Sequence, residues 1–313
     1  MFRCDAGIED GLGHLMRCLV LADALKNQNK EILFITNDSS KNINKDRVLL
    51  RGFKHKKTIY KAGSIDDLRN LLGYINNKNI DVKWIILDSK NITNDYVLTC
   101  RKKTRVLCFD DNDFRDLPCD ILINNQLGVK KNNYPNSSYR NLLLGPTYNT
   151  IKYNFFNIDK VDKNVTQTVL ITLGGEDPND LTSWLIKTAC DILKKLVVII
   201  ILGPAHPNPK QVRRIVNKLL PHAQIIVNPD DISIFISRSD LVLTAGGTTC
   251  YEIAAAKVVQ GVLVIEDHQQ ELVDPLIDAN AIEFLGRYDM LNENNVRKKI
   301  ENLIVDNKKN DIL

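Results

Sequence analysis

The run Gly11-Leu12-Gly13-His14-Leu15-Met16-Arg17 places a glycine pair and then a histidine between a short strand ending near Arg3-Cys4-Asp5 and a helical pattern from Leu15 to Leu25. Glycine lets a ligand approach the backbone, and the unpaired N–H groups at a helix start favour an anionic leaving group. The same field disfavours imidazolium, so His14 is expected to be neutral and able to accept a proton, as a general base must. A histidine so placed can equally be a cap or a surface residue, and spacing alone leaves that open. Of the other histidines, His55 lies in the basic run Lys54 to Lys57 and His206 and His222 sit beside prolines in loops. His268, which adjoins Gln269 after a strand, is better placed.

Three glycine-bearing turns in the second half fall where strands should end and helices begin: Leu173-Gly174-Gly175-Glu176-Asp177-Pro178, Leu202-Gly203-Pro204, and Ala245-Gly246-Gly247-Thr248-Thr249. Such turns can bring backbone N–H groups and hydroxyls against a diphosphate, and Glu252, one turn on from Thr248, could accept hydrogen bonds from ribose hydroxyls. Each turn alone is more often only a way of reversing the chain. Together with Gly11-Leu12-Gly13-His14 they favour a nucleotide-sugar site. Asp5 and Asp88 stand at strand ends and are site candidates by position, with helix capping the alternative. Asp111-Asn112-Asp113 could hold a metal, but a solvated acidic turn fits the surrounding pattern better, so neither metal nor cofactor is expected.

The elements that must carry these residues alternate. Strand-like runs at Ile32 to Thr36, Trp84 to Leu87, Val106 to Phe109, Ile121 to Ile123 and Leu142 to Leu144 are interleaved with helical patterns at Ile65 to Ile75 and Thr93 to Lys102. The periodicity lapses between Tyr148 and Thr168. It then resumes with strands at Val169 to Leu173, Leu196 to Leu202, Gln224 to Val227, Leu241 to Thr244 and Gly261 to Ile265, again separated by helices. Strand–helix alternation implies parallel sheets covered on both faces. The expected architecture is therefore α/β, with two Rossmann-like domains facing across a cleft. Residues 1–155 are expected to form an N-terminal domain with the histidine and residues 165–313 a C-terminal domain for the nucleotide. A ligand belongs at the carboxyl ends of the strands.

At 313 residues the chain can bury two cores, and its net charge of +4 comes from scattered lysines and arginines without a basic stripe. Nucleic-acid binding is not indicated. Seven widely spaced cysteines read as reduced core residues of a cytoplasmic protein, and the longest apolar run, Leu196 to Leu202, is too short to span a bilayer. No signal peptide or integral membrane segment is expected, residues Asn307 to Leu313 are expected to fray, and a monomer is the expected state.

At these motifs the sequence resembles the UDP-2,4-diacetamido-2,4,6-trideoxy-β-L-altropyranose hydrolases of pseudaminic acid synthesis. These belong with the SpsG-type proteins and, more distantly, the MurG-type transferases of the glycosyltransferase-B fold. The resemblance rests on Arg3-Cys4-Asp5-Ala6 with Gly11-Leu12-Gly13-His14, on Phe109-Asp110-Asp111, Cys119-Asp120-Ile121-Leu122-Ile123-Asn124 and Gly145-Pro146-Thr147-Tyr148, on Gly174-Gly175 with Asp177-Pro178, and on Gly246-Gly247-Thr248-Thr249 with Glu252. It implies that His14 activates water and that UDP is held by Gly174, Gly175, Gly246, Gly247, Thr248, Thr249 and Glu252; Gly203, in the remaining glycine turn, joins them by position. It further implies a sugar near Gln269, and Asp5, Gly11, Gly13, Arg17, Asp88 and Tyr148 are sugar-site candidates by their place in these motifs and at strand ends. Ser89 follows Asp88 where the family often has histidine, and His268 replaces a common asparagine. The first strand also begins late, as a misassigned start would produce. The implied activity is removal of UDP from a UDP-linked deoxy-amino sugar by direct attack of water, with inversion at the anomeric carbon. The main alternative is an amino-sugar transferase on the same fold, with a binding subunit and an epimerase behind it.

Overall fold

The computed structural model describes residues 1–5, 13–37, 43–111, 113–135, 141–156 and 166–310. The chain divides into two compact units, Met1–Thr150 and Ile151–Leu313. In the first, β1 (Phe2–Cys4), α1 (Gly13–Lys26), β2 (Leu33–Asn37), α2 (Ile43–Leu50), β3 (Lys54–Thr58), α3 (Ile65–Asn77), β4 (Trp84–Asp88), α4 (Asn94–Arg101), β5 (Arg105–Phe109), β6 (Ile121–Asn124) and β7 (Asn141–Leu144) follow in turn. Their strands form one parallel sheet in the order β3-β2-β1-β4-β5-β6-β7. Strand order reverses between β1 and β4, whose register pairs Cys4 with Asp88, and ligands of such sheets bind beyond the carboxyl ends at that reversal.

α1 buries Leu15, Cys18, Leu19 and Ala22, a helical stripe spaced by three and four residues, against one face of the sheet. There Phe2 and Phe34 stack with ring centroids 4.7 Å apart. Leu71, Ile75, Tyr96 and Val97 from α3 and α4 cover the opposite face. Each such side chain taken out of water contributes about 1.5–3 kcal/mol, which fixes where α1 begins relative to the strand ends.

The second unit repeats the plan. β8 (Thr168–Thr172), α5 (Leu181–Leu193), β9 (Val197–Leu202), α6 (Pro209–Leu219), β10 (Gln224–Val227), α7 (Ser233–Ser237), β11 (Leu241–Ala245), α8 (Thr249–Ala255), β12 (Val259–Val264), α9 (Gln270–Asp278), β13 (Glu283–Arg287) and α10 (Glu293–Asn310) give a parallel sheet ordered β10-β9-β8-β11-β12-β13. The reversal here lies between β8 and β11, which are followed by two of the glycine turns.

Four elements, α2, β3, β13 and α10, are not expected from the sequence. β3, of sequence Lys-His-Lys-Lys-Thr, ends the sheet formed by the described residues, and charged side chains are common on such edge strands. β13 and α10 complete the second sheet's far edge, and the helix extends to Asn310, into the stretch expected to fray. The division between the units, at Thr150 and Ile151, falls inside the stretch Tyr148 to Thr168 where the periodicity lapses and ahead of the expected domain end at 155: Phe155, in a 3-10 turn over Tyr153–Phe155, is buried with Leu170, Ile201, Ile236, Val242 and Ile253 of the second unit. Among the described residues no helix is long and apolar enough to cross a membrane, and no disulfide joins the seven cysteines.

Candidate active site

Two groups of side chains and turns stand at the two strand-order reversals, one in each unit. In the first, α1 starts at Gly13, where a side chain would meet nothing within 4 Å, and His14 and Arg17 share a face one turn apart. His14 Nδ1 lies 2.7 Å from Oδ1 of Asp88, the last residue of β4. Arg17 grips the same carboxylate, Nε to Oδ2 at 2.6 Å and Nη2 to Oδ1 at 2.5 Å, and reaches Asp111 with Nη1 to Oδ1 at 2.7 Å. Its guanidinium also lies 4.8 Å over the Phe109 ring.

These contacts fix the tautomer. Burial pushes the Asp88 carboxyl up, but the charges of Arg17 and His14 outweigh it and hold the group well below the usual carboxylate range. An ionised Asp88 accepts the Nδ1 hydrogen, leaving Nε2 of His14 with a lone pair. Arg17 Nη2 is 3.1 Å from the same Nδ1, but both are donors there, so that approach is no bond. The expectation that the helix start alone keeps His14 neutral needs correction. Burial lowers its pKa, yet the Asp88 charge and hydrogen bond outweigh burial, Arg17 included, and the net shift is upward from 6.5. The carboxylate, not the helix field, sets the proton affinity of this ring.

Two residues expected at the sugar turn inward. Asp5 accepts from Arg3, from the Asn37 N–H at 2.8 Å and from the Ala62 N–H at 2.7 Å, so it ties the end of β1 to the end of β2 and to the loop after β3. Arg17 spends its donors on Asp88 and Asp111 and so positions rather than binds. Asp111, expected in a solvated turn, pairs with Arg17 and so joins the cluster; its place beyond β5, one strand over from Asp88, is the available signal. Tyr148 is exposed in a 3-10 turn just beyond β7, and Gly11 lies outside the described residues.

In the second unit Gly174 takes φ 86°, a left-handed conformation that suits glycine. A Cβ on Gly203 would stand 2.2 Å from the Gly175 carbonyl oxygen, so the turns after β8 and β9 lie backbone on backbone. Gly175 and Gly247 have open space where a side chain would be. Gly246 is pressed against α9, where a Cβ would meet Val273 at 2.5 Å. Thr248 precedes α8 and makes no side-chain cap, and Thr249 hydrogen-bonds Glu252. Burial pushes the Glu252 carboxyl up to about 7 in spite of nearby Lys152. Lys152, 3.8 Å from Asp231, comes from the segment read as linker, which is why its proximity to Glu252 was missed. Gln269 is buried beside Gly246 with its amide oxygen taken by the Ile265 N–H at 3.0 Å, so its first role is to brace that turn. His268 is exposed, 3.5 Å from Glu266.

With the two sheets and their turns in view, likeness to solved structures decides the architecture. MurG of Acinetobacter baumannii superposes with TM-score 0.64, covering 97% of this chain and 90% of that one at 14% identity. The chain has the glycosyltransferase-B fold. Arabidopsis thaliana UGT89C1, solved with UDP-L-rhamnose, shares the fold with TM-score 0.64 at 11% identity over 95% of this chain and 87% of that one. No family model matches the sequence. Among curated proteins it is a remote homologue of the Bacillus subtilis spore coat polysaccharide biosynthesis protein SpsG, at 25% identity over 90% of this chain and 82% of that protein. It is likewise related to the UDP-2,4-diacetamido-2,4,6-trideoxy-beta-L-altropyranose hydrolase of Campylobacter jejuni, at 22% over 82% and 88%. An uncharacterized protein of Methanocaldococcus jannaschii is 27% identical over 86% of the chain, which spans only 56% of that relative's length.

Proposed function

We propose that the chain is a nucleotide-sugar enzyme of surface-polysaccharide synthesis, and specifically a hydrolase that releases UDP from a UDP-linked deoxy-amino sugar. The observation that carries the proposal is the His14–Asp88 pair at the β1/β4 reversal: an imidazole oriented by a buried carboxylate and left with Nε2 able to take a proton. The altropyranose hydrolase among its relatives supports water as the attacking group. In this reading His14 removes the proton of water as it attacks the anomeric carbon, a role worth about 10²- to 10⁴-fold in rate. Direct attack without a sugar–enzyme intermediate inverts the configuration.

The second unit is proposed to take the UDP. Backbone N–H groups around Gly174, Gly175 and Gly246 to Thr249 meet the diphosphate, with Gly203 allowing the close approach of the turns. Glu252 takes the ribose hydroxyls. Tyr148 and the Gln269 amide nitrogen are proposed sugar contacts.

Incubating the protein with UDP-activated amino sugars and no acceptor is expected to release UDP, and His14→Ala to lower kcat by about 10²- to 10⁴-fold with UDP affinity nearly unchanged. NMR of the freed sugar reads its configuration. UDP release that requires an added acceptor would make the protein a transferase.

A further inference from the structure

His206, beside a proline in the loop after β9, is sunk between two carboxylates. Its Nε2 stands 3.5 Å from Asp177 Oδ2 and 3.7 Å from Asp180 Oδ1, and the imidazole is 2% exposed. Nε2 and Asp180 Oδ1 are both buried without a hydrogen-bond partner. Asp177 already caps α5, accepting from the N–H groups of Leu181 and Thr182 at 2.8 Å each. Asp177 and Asp180 both sit in the left-handed region, with φ 46° and 49°, so the loop between β8 and α5 holds a conformation that side-chain residues adopt at a cost.

The ligand atoms of this trio lie within 4.8 Å of one another, a spacing that a divalent cation could bridge. The other ring nitrogen argues against it. A metal-bound histidine donates its second N–H to an acceptor, whereas Nδ1 of His206 faces the Asn208 N–H at 3.1 Å and accepts. Nδ1 therefore carries no hydrogen and Nε2 does, which places one N–H between two carboxylate oxygens.

We propose that His206 is a positioning residue that latches the loop after β9 to the loop after β8 and thereby sets the Gly174–Gly175 turn. The histidine is anchored on the first loop, where its own N–H reaches the Gly203 carbonyl at 3.3 Å and the Ala205 N–H donates to the Gly175 carbonyl at 3.0 Å. Its side chain reaches the second loop. Without the Nε2 hydrogen, two buried carboxylate oxygens face each other with nothing between them, and the strained loop loses its brace. The latch rests on the reading of the second unit as the nucleotide site.

Two variants of similar bulk separate its functions. His206→Gln keeps a donor near the Nε2 position, while His206→Asn keeps an acceptor for Asn208 but is too short to reach the carboxylates. By calorimetry, H206Q is expected to bind UDP within about threefold of wild type and H206N about tenfold more weakly, a difference that shows in KM and leaves kcat within about threefold. Amide exchange at Leu173 to Gly175 should quicken in H206N and not in H206Q. Equal UDP affinity and equal exchange in both variants, whatever their melting temperatures, overturn the latch. Stoichiometric zinc or another divalent metal in the purified wild type, lost from H206Q, also overturns it in favour of a metal site. A wild type that binds no UDP overturns the nucleotide reading instead, and the exchange comparison then decides the latch alone.

Discussion

Two carboxyl groups at residue scale are pushed in opposite directions, and each shift has a working consequence. Asp88 is held ionised, so it can keep the hydrogen of His14 on Nδ1 and raise the affinity of Nε2 for a proton. A base works only when deprotonated, so kcat/KM should fall as pH drops through a limb lying above 6.5. Asp88→Asn removes the negative charge and the tautomer preference together. Its expected signature is a rate about 10²- to 10⁴-fold lower, with the acid limb moved to lower pH, read from a pH–rate profile. An unmoved limb would mean that another group titrates. Glu252 is the reverse case: burial lifts it from 4.5 to about 7. Because the folded chain resists ionising it, stability is lost between these two values as pH rises, and Glu252→Gln should melt higher than wild type above pH 7. The ionised form is also the stronger acceptor for ribose hydroxyls, so wild-type affinity for UDP should climb between pH 6 and 8 while that of the Gln variant stays flat and lower. Calorimetry at three pH values tests both halves.

Glycines at the element scale do what the side chains cannot. A methyl group on Gly203 would collide with the carbonyls of Gly174 and Gly175, backbone atoms that cannot swing aside. Gly203→Ala should therefore part the two turns, weakening UDP binding at least tenfold and destabilising the second unit by about 1–3 kcal/mol in denaturant titrations. Gly247→Ala, in open space, should leave stability within about 0.5 kcal/mol. Glycine turns after apolar strands were legible in the sequence because both the strand pattern and the turn residue are local signals. Helix α1 was legible for the same reason: Leu15, Cys18, Leu19 and Ala22 mark its buried face. β3 was not, since an edge strand of lysines carries no apolar alternation. Nor were the Arg17–Asp111 pair and the His206–Asp177 contact, 94 and 29 residues apart, because single-sequence periodicity says nothing of which strand ends become neighbours. The inward turn of Asp5 was hidden likewise: its partners Asn37 and Ala62 come from the end of β2 and from the loop after β3.

For the whole molecule, two similar sheets with different chemistry at their reversals imply a division of labour. The first unit carries titratable side chains in an ion-pair cluster, Asp88, Arg17, Asp111 and His14; the second offers glycine backbone, hydroxyls and one carboxyl whose pKa burial raises. Backbone N–H groups suit a diphosphate and a carboxylate-oriented imidazole suits a reacting carbon, so UDP alone should engage only the second unit. Ligand at 100 times its Kd stabilises the form that binds it by about 2.7 kcal/mol, and the gain appears as slower amide exchange where the ligand's contacts lie. With UDP present, protection is therefore expected to rise at Leu173 to Gly175 and at Gly246 to Glu252, while the amides of Gly13 to Arg17 and of Asp88 exchange as before. A non-hydrolysable UDP-sugar analogue should add protection at Gly13 to Arg17 if, as proposed, the first unit meets the sugar. Protection of Gly13 to Arg17 by UDP alone would place the diphosphate on α1 and reverse the assignment of the two units, which makes exchange with these two ligands the sharpest check on how the molecule divides its substrate.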